Sequence, residues 1–469
     1  STRRKAQNHM KSPNAPLTAP LAALLIAAAI APASLAGDAC CGHHDPADTT
    51  QTFRTGVIGP DGACRIPDGA ELARIQAVFD DKAPISRRSI ASAGRFDGAR
   101  SGLDVQYSLA PDVAADPDFV DALEAAATIW ETIISDDATL VVDVDFTSGQ
   151  SFIAAAQRFE NGFSYTQVRD ALIADAGNLE ADYVAALPVS PLTFQDFFGT
   201  FTPSASPSAT DISITFAQAQ ALGFGDQSPG SGPDSGITFN TDFPFDTDPS
   251  DGILVPADAV DVVYVMLHEL GHALGFVSTV DAGFIGGSEP TALDFFRVGE
   301  PGSSQDPANL ADLSTVERIV APGTEAALDP IDQFPEVQSP SFNFSTGAFF
   351  GDGRQGSHWK DQSALNLPSV IGVMDPTFES GAGINILDPI SEADLLAFSL
   401  IGWDITVPGD TTGTCPDVAD NDNLVGLNDL LLVLANFGTS TADGDTNGDG
   451  SVGLDDLLAV LGAFGTTCP

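Results

Sequence analysis

Asp258–Ser278, DAVDVVYVMLHELGHALGFVS, is the stretch around which the rest of the chain can be read. Its apolar residues Val262, Val263, Val265, Met266, Leu267, Leu270, Ala273 and Leu274 recur at three and four, the period of one helix face. Asp258 or Asp261 can cap the start, and Gly275 supplies the residue that commonly ends a helix. On such a helix His268 and His272 are four apart, so both imidazoles leave the same face one turn apart, as two nitrogen ligands of a tetrahedral zinc require. Glu269 stands beside them, too early to ligate but placed to take a proton from a water on the metal. A glutamate between two histidines in a buried apolar helix is costly without a metal to serve.

Read on, HELGHALGF resembles the metzincin clan of zinc metalloproteases, whose helix breaks at a glycine after the second histidine. The commonest metzincin spacing puts a third histidine where this chain has Ser278. The remaining candidates are few, because outside the first nine residues the other histidines are His43, His44 and His358. His358 stands in GSHWKD, and GVMDP with Met374 follows. That order resembles the leishmanolysin branch and related secreted bacterial enzymes: HExxHxxGF, a long insertion, a histidine followed by tryptophan, then a methionine turn beneath the metal. The resemblance implies His358 as third zinc ligand, with His43, His44 or a carboxylate such as Asp281 or Glu289 as alternatives. It also implies an α+β fold: a metzincin-like catalytic domain with a twisted mixed sheet and the zinc helix, followed by a small all-α, EF-hand-like module. Many metzincins place a tyrosine after the methionine turn; here Tyr107, Tyr165, Tyr183 and Tyr264 all precede it.

A chain of 469 residues, 43% hydrophobic, can support two or three domains. Its net charge of -47 argues against nucleic acid or an anionic membrane as partner, since both would repel it. Arg3, Arg4, Lys5 and Lys11 precede an apolar run from Leu21 to Ile30, with Ser34 and Ala36 after it, the pattern of a secretory signal ending near residue 36. The run is too short for a comfortable span, so an exported protein without a membrane span is expected, secreted, periplasmic or held at the cell surface. Export favours disulfides among Cys40, Cys41, Cys64, Cys415 and Cys468. The preferred reading bonds Cys64 to Cys40 or Cys41. The alternative rests on ACRIPDG, faintly similar to the matrixin pro-segment whose cysteine occupies the zinc. Residues 37–100 are read as an arm or pro-segment with a short helix around Ala70 to Phe79.

From Leu103 regular structure is expected: strands at LDVQYSLA and TLVVDVDF, a helix from Pro117 to Ile134 carrying Trp130, a helix at Tyr165 to Ala176, and strands at DISITF and GITFN. In the resembled clan the last strand before the zinc helix is an edge that pairs with extended substrate, which assigns that role to GITFN. NTDFPFDTDPSDG, with Asp242, Asp246, Asp248 and Asp251, reads as a solvated loop ahead of a calcium site. Residues from Asp294 to about Gly347 read as an irregular insertion. ISEADLLAFSLIGWDI closes the catalytic domain, 101–407, with Ser391 as cap, and 408–414 is a linker.

Residues 415–469 repeat. VGLNDLLLVLANFG at Val425 and VGLDDLLAVLGAFG at Val452 align at a period of 27. Before the second copy Asp445, Asn447, Asp449, the carbonyl of Ser451 and Asp456 fall at calcium-loop positions, with Gly450 at the turn. Before the first, Asp420, Asp422 and Asp429 keep three of these places, a possible second site. Such paired repeats resemble dockerin modules, which implies calcium and a cohesin-like partner; Cys415 and Cys468 bracket the unit as a disulfide candidate. The functional expectation is a secreted zinc endopeptidase acting on protein or peptide substrate, with one Zn2+ and one or two Ca2+. The competing expectation is a calcium-dependent extracellular binding or surface protein whose HExxH domain is inactive.

Overall fold

The computed structural model describes residues 51–67, 71, 74, 102–177, 180–227, 232–249, 255–281, 289–328, 342–365, 370–377 and 390–406, and parts of 418–460. The signal-like segment, His43, His44, Cys40, Cys41, Cys415, Cys468, Asp251 and the loop residues Asp420, Asp422, Asp445, Asn447, Asp449 and Ser451 lie outside the described residues. The chain carries both mixed sheets and helices, which is compatible with an α+β reading. Among the described residues no helix is long and apolar enough to cross a membrane.

The main sheet has seven strands. In chain order they are β1 (Gln51–Ile58), β2 (Cys64–Arg65), β3 (Asp104–Leu109), β4 (Thr139–Thr147), β5 (Ala154–Phe163), β6 (Ile212–Thr215) and β7 (Ser235–Asn240), arranged β2-β1-β5-β7-β4-β3 with β6 also on β5. β3, β4 and β7 run parallel, and β5 is antiparallel to β7. β4 shows why the pattern folds this way: Leu140, Val142 and Val144 are buried while their neighbours are half-exposed, the alternation of a sheet covered mainly on one face. β7 was expected at the edge and is instead central, because β5 adds beyond it. The outer flank of β5 carries β1, paired antiparallel from Gln51 opposite Asn161 to Ile58 opposite Ala154.

Helices and the main sheet share one hydrophobic core. α1 (Pro117–Ile133) starts with Asp116 accepting from the Phe119 N–H and Pro117 in its first turn, where a missing N–H costs nothing. Its fully buried Trp130 donates from Nε1 to the Leu267 carbonyl at 3.0 Å and packs edge-on against Phe398. α2 (Tyr165–Asp175) opens with a reciprocal capping box of Ser164 and Gln167. α3 (Val262–Ala273) carries HELGH: Asp261 caps it through the Tyr264 N–H, and Gly275, at φ +110, lets the chain turn out of it. The insertion after it holds short strands, among them β8 (Val298–Gly299), β9 (Ala326–Leu328) and β10 (Phe342–Asn343), which pair into a small sheet. α4 (Glu392–Leu400) is capped by Ser391, and Trp403 just beyond it donates to the Leu274 carbonyl.

In the tail, α5 (Leu427–Asn436) is described, with a core of Val425, Val433, Val452 and Val460. These are two valines per repeat at matching positions. The equivalent acids also do equivalent work: Asp429 accepts from the Val418, Ala419 and Gly426 N–H groups, and Asp456 accepts from the Thr446 N–H and hydroxyl.

Candidate metal centre

His268 and His272 leave one face of α3, and His358 arrives from the segment after the insertion. The three Nε2 atoms lie 3.0 Å (His268 to His358), 3.1 Å (His268 to His272) and 3.2 Å (His272 to His358) apart. Each ring is turned by a backbone carbonyl at its other nitrogen: His268 Nδ1 by Val373 at 2.8 Å, His272 Nδ1 by Phe276 at 2.8 Å, His358 Nδ1 by Gln355 at 3.0 Å. A carbonyl can only accept, so each Nδ1 carries the proton and each Nε2 presents a bare lone pair. All three rings are buried, and burial lowers their pKa values, His268 to about 4 and the other two well below the ordinary range. Three neutral imidazoles therefore aim lone pairs at one another with no proton to share, an arrangement that repels unless a cation sits between them. Ligands about 2.0–2.1 Å from a tetrahedral zinc stand about 3.3 Å apart, close to what these nitrogens do.

Glu269 is also buried, which pushes its carboxyl up to about 8 against the pull of Arg158. Met374 lies under the histidine pair. A side chain at Gly271 would put its Cβ 2.4 Å from the Met374 sulfur, so the glycine between the two histidines is what admits the methionine. The motif resemblance expects Met374 beneath the histidines, and the fold adds that Gly271 makes room for it.

Asp394 stands in the first turn of α4. It is fully buried, and its Oδ1 accepts from Trp359 Nε1 at 2.8 Å while Oδ2 accepts from the Val373 N–H at 2.8 Å and from Ser391. One carboxylate thus fixes the residue beside His358 and the residue whose carbonyl orients His268. Burial raises its pKa, and those hydrogen bonds oppose the rise.

One alternative ligand, Asp281, does other work. Asp281 accepts from the Ala348 and Gly356 N–H groups at 2.7 Å, bracing the loop that leads to His358. Ser278, where the commoner metzincin form has its histidine, donates from its hydroxyl to Asp294 and from its N–H to the Ser357 hydroxyl. The position thereby tethers the chain just before His358. Asp242 accepts from the Gly149 N–H, and Asp246 pairs in a two-residue strand with Asp261.

Cys64 corrects the disulfide reading. It is a free, buried thiol whose Sγ lies 3.5 Å from His268 Nε2. The ligand atoms of Cys64, His268 and His358 all fall within 4.8 Å of one another. Burial, then the Glu269 charge, raises the thiol pKa well above its usual value. In the sequence an exported chain with five cysteines favours pairing, and nothing in ACRIPDG encodes a partner 204 residues away. Comparison with protein families, with curated proteins and with solved structures gave no match.

Proposed function

We propose that this chain is an exported zinc-dependent endopeptidase with a calcium-binding C-terminal module. The observation that carries the reading is the convergence of three buried, unprotonated Nε2 atoms from His268, His272 and His358, with Glu269 on the same helix. The leishmanolysin-like order of motifs supports it, as do Met374 against Gly271 and Trp359 locked beside His358.

The three histidines would hold the zinc, which when bound supplies Lewis-acid polarisation of a water and of the scissile carbonyl. Glu269 takes the proton of the attacking water and passes it to the leaving amine. Asp394 and the carbonyls of Val373, Phe276 and Gln355 keep the imidazoles in the ligating tautomer and orientation. Cys64 stands where the open side would be, so the described arrangement is a resting one, similar to a matrixin pro-segment thiol over the metal.

For the tail, the calcium-loop spacing at Asp445 supports ion binding, and the dockerin likeness supports a cohesin-like partner. Leu427, Leu431, Leu434 and Phe437 are exposed along α5 at helical spacing, an apolar stripe that such a partner would cover.

The test is metal content with matched activity. About one zinc per chain, lost in His358→Ala, and hydrolysis of a denatured protein that Glu269→Gln abolishes without losing zinc, is the expected result. A chain that binds calcium alone and cleaves nothing after its first 100 residues are detached would instead be the binding protein.

A further inference from the structure

Phe-Phe-Gly occurs twice in the chain, at 197–199 and at 349–351, and the fold brings the two copies together. Phe197 and Phe198 form the turn between the short paired strands Phe194–Asp196 and Gly199–Phe201, where Asp196 Oδ1 accepts from the Phe198 and Gly199 N–H groups at 2.8 and 2.9 Å. Phe349 and Phe350 stand at the tip of the loop that leads to His358, and the Phe197 ring lies 5.5 Å from Phe350 and 5.4 Å from Phe198. In chain order the four are 46%, 68%, 41% and 65% exposed; among the described residues outside the tail, only Val189 and Val370 are other large apolar side chains left in solvent. Phe350 also has φ +63, the one non-glycine residue in the left-handed region among those described. An aromatic residue keeps that conformation only where its surroundings impose it. Here Asp281 holds the Ala348 N–H, Asp352 and Thr346 bond across the neck of the loop, and a Cβ at Gly323 would lie 2.3 Å from the Phe350 carbonyl. The chain just before Gly323 pairs Arg318 with Phe194, so both turns rest on one support.

We infer that these four rings are a secondary docking platform for an apolar stretch of a polypeptide substrate, seated away from the bond that is cut; naming the occupant as substrate rests on the endopeptidase reading. What selects that occupant is the platform's continuity with the histidine centre. The Ser345 N–H donates to the His358 carbonyl at 3.0 Å and Phe344 lies opposite Trp359, so the neck of the loop sits at the third histidine. From Ser345 to Phe350 the chain can span no more than about 17 Å, so a peptide lying along this loop from the histidines meets the rings about five residues from its scissile bond. The rings carry no charge, and a chain of net charge -47 repels an anionic protein or membrane face. Phenylalanine and leucine stretches are buried in folded proteins and open in unfolded ones, which makes an unfolded, apolar-rich polypeptide the substrate class that fits. Contacts so far from the reacting atoms hold ground state and transition state alike, so they lower KM and leave kcat unchanged.

Two fluorescent peptides, identical except that one carries a run of phenylalanines where the other carries serines, are titrated by anisotropy against the full chain bearing Glu269→Gln, with and without Phe198→Ser plus Phe350→Gly. Both substitutions fall on exposed side chains, and glycine accepts φ +63 freely, so folding is kept, as circular dichroism checks. The apolar peptide should bind at least about tenfold more tightly than the serine one, and the double substitution should erase the difference. In the zinc-loaded chain, folded whole and then relieved of its first 100 residues, the same pair of substitutions should raise KM for a denatured protein at least about fivefold and leave kcat within about twofold. Equal affinity for the two peptides, a preference that the substitutions leave intact, or a loss confined to kcat overturns the inference. So does Phe-dependent binding to neutral phosphatidylcholine vesicles with no preference between the peptides, which would assign the rings to a lipid surface. A Phe-dependent peptide preference in a chain that hydrolyses nothing when loaded and opened supports the platform and sinks the endopeptidase reading instead.

Discussion

The histidine centre and the C-terminal repeat are both read as metal sites, yet they are built in opposite ways. The centre gathers groups 204, 90 and 86 residues apart and buries them in the main core, with each ring aimed by a carbonyl. The described part of the repeat rests on four valines and on two aspartates that hold the backbone N–H groups of their own loops. A centre framed by a large core keeps its shape whether or not an ion is bound. A unit of 55 residues is too short to hold firmly by a core alone and is expected to need its ion, or a staple, to fold.

The largest effect separating the two should come from Glu269→Gln, which is expected to lower peptide hydrolysis by at least about a hundredfold in the opened enzyme. Zinc content and the calcium response of the tail should be unchanged, as measured by elemental analysis and circular dichroism. Near-normal turnover would remove the proposed chemistry while leaving the geometry.

Next is Asp394→Ala, which strips acceptors from Trp359 Nε1 and the Val373 N–H inside the core, at about 1–3 kcal/mol each. Zinc affinity should fall by about ten- to a hundredfold, the usual scale for groups that orient ligands. Competition with a chromogenic chelator reads this, and unchanged affinity would mean that the carbonyls alone hold the rings.

Acid should separate the regions in the metal-free chain. The buried histidines have depressed pKa values, so the unfolded chain takes protons that the folded one refuses. Stability of the histidine core is therefore lost as pH falls from about 6.5 towards about 4, by more than about 1 kcal/mol per pH unit for each ring. In the tail, burial alone would raise the Asp429 carboxyl, but the N–H groups of Gly426, Ala419 and Val418 outweigh it and hold the pKa below its usual value. That contribution is present above about 4 and lost only below it. Hydrogen exchange resolved by segment should show the core loosening first, and coincident loosening would contradict the separation.

The smallest effect on the proposed hydrolysis should come from Asp445→Ala with Asp449→Ala. Calcium-dependent folding of 415–469 should vanish while hydrolysis by the opened catalytic part stays within about twofold. A tail that folds equally well in chelator would end the calcium assignment.

What was legible in the sequence follows the same divide. Local signals survived: the three-four periodicity of α3, the cap of α4 at Ser391, the Pro117 start of α1 and the 27-residue repeat are each written in a few neighbouring residues. β5 escaped notice because Ala154-Ala155-Ala156 lacks the β-branched residues that mark strands, and it is a strand by virtue of β1 and β7 on its flanks. That omission is also why GITFN was assigned the edge. Asp394 and Gly271 carry no sign of what they touch, since Trp359, Val373 and Met374 reach them only through the tertiary fold. Cys64 was judged by its compartment, while its environment is set by the hairpin turn at 59–62 and by β5.

The most direct measurement is X-ray absorption at the zinc edge of the intact chain. Three nitrogens at about 2.0–2.1 Å and one sulfur at about 2.3 Å are expected, with the sulfur lost in Cys64→Ala and one nitrogen lost in His358→Ala. A chain that retains no zinc, or one whose metal shows two imidazoles and an oxygen shell unaffected by His358→Ala, would contradict the centre proposed for this protein.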